Sequence, residues 1–109
     1  MVSKVGNKYN ATRVAIDGIT FHSRAEAARY SELHLMAKAG TIKDLRLQVP
    51  YKIVVNGKNI CTYRADFVYK NASGKEVVED VKGYRTDVYR LKKKLVEAIY
   101  GIDIVEIEK

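Results

Sequence analysis

Two aspartates and a lysine near the middle of the chain have the types and spacing to work as one group. In residues 63–83, YRADFVYKNASGKEVVEDVKG, Asp66 lies on one extended segment, Asp80 and Lys82 close a second, and a polar turn at residues 71–74 joins them. Strand side chains alternate between faces, so Val78, Asp80 and Lys82 point one way and Val77, Glu79 and Val81 the other. A hairpin across the turn sets Asp66 beside Asp80. Two carboxylates and an ammonium at one spot are costly to desolvate unless a metal ion or a reaction makes use of them. Glu79, on the other face, is expected to meet solvent or to serve a structural role.

The elements that must position this group follow from local signals. Residues 1–11 are polar and basic and read as an N-terminal arm, leaving residues 12–109 as a single domain. Residues 12–16 and 19–22 flank Asp17-Gly18, a dipeptide favoured in two-residue hairpin turns, so a short β-hairpin comes first. Ser23 to Glu26 has the spacing of a capping box and starts a helix that Gly40 ends. Residues 45–55 are β-like, with Pro50 marking an edge or a bulge, and Asn56-Gly57 signals a second hairpin. Residues 59–70 and 75–82 complete a three-strand meander. Thr86 caps a second helix, in which Val88, Leu91, Leu95, Val96 and Ile99 are expected to form one buried face before Gly101 stops it. Residues 103–108 alternate and supply a last strand. The order predicts an α/β domain: a mixed central sheet of about four strands, one helix before the meander and one after it.

Composition narrows the function. With 109 residues, 47% hydrophobic and 30% charged, the chain has the make-up of one ordinary globular domain. No apolar run approaches the roughly 20 residues that span a bilayer, so no membrane partner is expected. A single cysteine, Cys61, and the lack of a signal-like N-terminus fit a reducing, cytoplasmic location. A net charge of +7 on so small a protein favours a polyanion such as nucleic acid. There is no phosphate-binding glycine loop, so no nucleotide or other small-molecule cofactor is expected, and His22 and His34 lack partners at zinc-ligand spacing.

A leading helix carrying an acid, then Asp66, then Asp80-x-Lys82, then a helix and strand resembles the PD-(D/E)XK nuclease superfamily over nearly the whole chain. More narrowly, NKYNATRVAIDGITFHSRAEAARY and VVEDVKGYRTDVYRLKKKL look like a family of small phage- and prophage-encoded proteins assigned to that superfamily. Ala65 stands where the named motif has proline, which supplied only a backbone turn. The resemblance implies a restriction-endonuclease-like core and a magnesium-dependent DNA endonuclease, with manganese able to substitute. It further implies metal ligation by Asp66, Asp80 and the Val81 carbonyl, and water activation by Lys82. If the chain is phage-encoded, its location is the host cytoplasm. Because small phage nucleases of this superfamily include junction resolvases, branched DNA and a two-fold homodimer are further implications.

Glu26 has two readings, the capping partner of Ser23 or an additional metal ligand. Residues 85–94 hold five cations against one acid, Asp87. Lys92 lies four residues from both Val88 and Val96, at the edge of the apolar row, and is expected to contact phosphate at the catalytic centre. Arg85, Arg90, Lys93 and Lys94 are expected to bind the nucleic-acid backbone. Lys8, Tyr9, Asn10, Arg24 and Gln48 are further contacts implied by the resemblance. The competing functions are a nucleic-acid-binding module that does not cut and a structural phage protein with a basic surface.

Overall fold

A computed structural model describes residues 13–108, so the arm with Lys8, Tyr9 and Asn10 lies outside the described residues. Strands β1 (Val14–Ile16) and β2 (Ile19–Phe21) pair antiparallel across Asp17 and Gly18, both at the positive φ that a tight hairpin turn requires. Helix α1 (Arg24–Lys38) follows. The Ser23 hydroxyl accepts the Glu26 N–H at 3.1 Å, and Glu26 Oε1 reaches back one residue past the cap to accept the His22 N–H at 3.3 Å, a variant of the capping box.

Strands β3 (Lys43–Val55), β4 (Lys58–Lys70) and β5 (Glu76–Val81) form the antiparallel meander. Helix α2 (Asp87–Tyr100), capped by the Thr86 hydroxyl and closed by left-handed Gly101, carries the chain back to β6 (Ile104–Ile107). There β6 pairs parallel with β5, and the sheet order is β3-β4-β5-β6. The fold is therefore mixed α/β, with a hairpin, a helix, a four-stranded sheet and a second helix in the expected order. Pro50 lies on β3, an edge strand, where a missing N–H is tolerated. Among the described residues no helix is long and apolar enough to cross a membrane.

The sheet has a core on each face. One, under α2, gathers Ile53, Tyr63, Ala65, Val78, Tyr89 and Val96; the other, under α1 and the first hairpin, gathers Phe21, Tyr30, Leu33, Phe67 and Tyr69. Along β4, Tyr63 and Ala65 face the first core, yet Phe67 and Tyr69, of the same parity, face the second. Along β3, Tyr51 and Val49 join the first while Leu47 and Leu45 join the second. Register is unbroken here, with Leu47 opposite Phe67 and Val49 opposite Ala65, so both strands turn over together. The pivot between those pairs is Gln48, at φ 53°, facing Asp66.

The rotation of α2 differs from the one its apolar spacing predicts. Val96 is buried together with Tyr89, but Val88 is 63% and Leu91 59% exposed, and Ile99 is also exposed. Polar anchors set the rotation: the Tyr89 hydroxyl donates to Glu106 (2.8 Å), Lys92 Nζ to the Thr62 carbonyl (3.2 Å) and the Tyr100 hydroxyl to the Lys52 carbonyl (2.9 Å). These bonds turn Tyr89, Lys92 and Val96 toward the sheet.

Candidate active site

The β4–β5 ladder runs from Lys70 opposite Glu76 to Phe67 opposite Glu79. One residue further on are Asp66 and Asp80, and here the strands part. The Val81 N–H donates at 2.8 Å to Asp66 Oδ2, a side chain taking the place of a strand carbonyl. Asp80 is only 2% exposed; its Oδ2 accepts the Tyr63 hydroxyl at 2.5 Å, and its Oδ1 lies 3.3 Å from Lys82 Nζ. The Lys82 ammonium also sits 4.3 Å from the centre of the Tyr89 ring, a cation–π contact that holds it over the site. Asp66, Asp80, Lys82 and Lys92 line one open pocket of about 270 Å³, joined by Arg64 and Tyr63. The structure thus brings both aspartates and both lysines of the sequence reading into one place.

Burial, reinforced by the hydrogen-bonded Asp66 carboxyl, pushes the Asp80 carboxyl up to about 7. Burial also raises Asp66, opposed by its bonds to Asp80 and to the Val81 amide. Tyr63 is pushed well above the usual phenol range by burial and by donating to Asp80, so it remains a donor. Two adjacent carboxyls that resist double ionisation suit a divalent cation, whose charge would replace the shared proton. All the donors are hard oxygens, the kind magnesium takes while keeping several waters. Among the described residues no three His, Cys, Asp or Glu side chains form a ready metal-holding group. The donor set therefore fits a cation held by two carboxylates, with the rest of its shell from water or substrate.

The third carboxylate, Glu26, reaches this site from α1. Its Oε2 accepts Gln48 Nε2 at 2.9 Å, and the same nitrogen donates to Asp66 Oδ1 at 3.2 Å. Glu26 is therefore both the capping partner and part of the acidic cluster, bridged to Asp66 by an amide. The Gln48 residue is exposed, yet its amide reaches these carboxylates, whereas Arg24 lies exposed on the first turn of α1.

Behind the site, Glu79 is 1% exposed, and the structural one of its two sequence readings holds. Arg29 grips it in bidentate fashion, at 2.8 and 2.6 Å, and the Tyr69 hydroxyl donates to it as well. This charged cluster ties α1 to the back of β5, one residue from Asp80.

The cations expected to bind a nucleic-acid backbone fall into two groups. Arg85 is engaged with Glu106 (2.9 Å) and Glu108 (2.7 Å), and Lys93 with Glu97 (2.9 Å), so both are occupied in fastening α2 and its approach. Lys94 and Arg90 are exposed on α2, Arg90 within 3.6 Å of Asp87. Arg64, Tyr63 and Tyr89 escaped the sequence reading. Arg64 was detectable, since it precedes Asp66 by two residues on one strand and so shares its side.

The family described as Protein of unknown function (DUF1064) matches residues 6–105, and the chain belongs to that family. No curated protein matches the chain.

Proposed function

We propose that this DUF1064 protein is a metal-dependent endonuclease that hydrolyses DNA phosphodiester bonds. One observation carries the reading: where β4 and β5 part, Asp66, Asp80 and Lys82 converge in an open pocket that α2 rims with Lys92. The resemblance to the PD-(D/E)XK nucleases supports it, because that superfamily uses a first aspartate followed by a (D/E)-x-K triplet.

In this reading Asp66 and Asp80 hold magnesium, and the Val81 carbonyl is available as a further oxygen donor. The bound cation supplies a water of lowered pKa and offsets charge gathering on the phosphate. Lys82, held 3.3 Å from Asp80 Oδ1, would offer a donor to that water or to a phosphate oxygen, and its ammonium would stabilise the negative charge that develops there. Tyr63 keeps Asp80 oriented by donating to the oxygen that faces away from Lys82. Lys92 and Arg64 offer cations to the flanking phosphates. Cleavage of branched DNA by a two-fold homodimer is the most specific form of the proposal.

Purified protein is incubated with linear, circular and four-way-junction DNA, with magnesium or with a chelator. The expected result is cutting that needs the metal and vanishes in Asp80→Ala while binding persists. Absence of cutting on every substrate, with binding retained, would sink the enzyme and leave a binding module.

A further inference from the structure

Among the described residues, four that are not glycine have positive φ: Asp17, Asp44, Asn56 and Gln48. Asp and Asn tolerate this conformation because their short side chains hydrogen-bond locally, and Asp17 and Asn56 sit in hairpin turns. Gln48 has no such excuse, since it lies mid-strand in β3. Its backbone turns the ribbon over, a task glycine or asparagine would perform with less strain. The reason for glutamine must therefore be sought in the side chain.

That side chain spans the cluster. Gln48 Nε2 directs its two hydrogens to Glu26 Oε2 and Asp66 Oδ1, at 2.9 and 3.2 Å. The outer oxygens are held by backbone, Glu26 Oε1 by the His22 N–H and Asp66 Oδ2 by the Val81 N–H. Each carboxylate is thus fixed at both ends, and a neutral donor occupies the space between two anions that would otherwise repel. Glu26 comes from α1 and Asp66 from the point where the sheet turns over, and Gln48 is the side chain that joins them.

We propose that Gln48 is a positioning residue: its amide N–H groups stand in for a divalent cation in the metal-free protein and keep Glu26 and Asp66 preorganised to receive one. The inference rests on the metal-dependent reading above and adds to it that Glu26 belongs to the cation's surroundings. The strained backbone is retained because it aims the amide between the two carboxylates.

Manganese binding is measured by titration calorimetry on the wild-type chain, Gln48→Asn and Gln48→Gly, with melting midpoints taken in chelator. Glycine and asparagine both accept positive φ, so both variants fold, and a role confined to the backbone predicts wild-type affinity in each. The proposal predicts affinity about tenfold lower in Gln48→Gly, the scale typical of lost outer-shell support, with Gln48→Asn between because its shorter amide reaches only one carboxylate. Gln48→Gly binding manganese as tightly as wild type overturns this inference alone. A wild-type chain that binds no manganese overturns the metal-dependent reading, and this inference with it.

Discussion

Replacing Asp80 with asparagine should make the protein more stable at alkaline pH while abolishing the proposed DNA cleavage. Folding takes the Asp80 carboxyl from an ordinary value of 3.8 to about 7. A carboxyl raised by folding favours the native state fully below its unfolded value, and that favour is lost as pH climbs through the folded value. Between about pH 4 and 7, some three pH units at about 1.4 kcal/mol each, the wild type should lose at most about 4 kcal/mol through this group. Asparagine does not titrate and still accepts the Tyr63 hydroxyl, and the value of about 7 already includes the pull of Lys82 on the ionised carboxyl. A gain of at most about 4 kcal/mol is expected at pH 8 and about 1 kcal/mol at pH 4.5. In urea unfolding with chelator present, a slope of about 2 kcal/mol/M turns this into a midpoint up to about 2 M higher at pH 8. A variant less stable than wild type at pH 8, or one that keeps the wild-type pH slope, would refute the reasoning, for Asp80 would then be structural. If the site holds magnesium, adding it to the wild type should flatten the same slope.

Three further predictions probe the surroundings. Arg29→Met strands a buried carboxylate, so it should cost about 3–5 kcal/mol in chemical denaturation, and Glu79→Gln should cost less because Tyr69 and Arg29 keep an acceptor. Val96→Ala should lose about 2 kcal/mol, and Leu91→Ala, on the exposed side of α2, under about 0.5 kcal/mol; equal losses would mean the helix is turned the other way. On DNA, Lys94→Ala should reduce the slope of log affinity against log salt by about 1. Arg85→Ala, whose loss frees Glu106 and Glu108, should instead lower the melting temperature.

Legibility followed the range of the interactions involved. Asp17-Gly18, Asn56-Gly57, the capping box from Ser23 to Glu26, and the Thr86 and Gly101 caps could all be read because each depends on a few neighbouring residues. The meeting of Asp66 with Asp80 was readable for a similar reason, since one hairpin fixes it. The rotation of α2 was not. Its apolar row pointed to Val88, Leu91 and Ile99, but bonds to Thr62, Lys52 and Glu106 on three different strands decided the outcome. The burial of Glu79 depends on Arg29, fifty residues away in sequence. The pairing of Arg85 with Glu106 and Glu108, and of Lys93 with Glu97, likewise removed cations that charge counting had treated as free. Glutamine at positive φ leaves no mark in a sequence.

The turnover of β3 and β4 bears on how the protein comes apart. Each hydrophobic cluster belongs to one helix, and at Gln48 and Asp66 the ribbon exchanges which alternate residues face which cluster, Val68 beyond the pivot packing with the first and Phe67 and Tyr69 with the second. Local opening follows such divisions, so amide exchange should reveal two cooperative units, one built on α1 and the other on α2. Glu26 belongs to the first unit, Lys92 to the second, and Asp66 to the boundary. A fluctuation that loosens either helix therefore dismantles the constellation while half of the domain stays folded. On heating, the DNA cleavage proposed for this site should disappear before the last protected amides do.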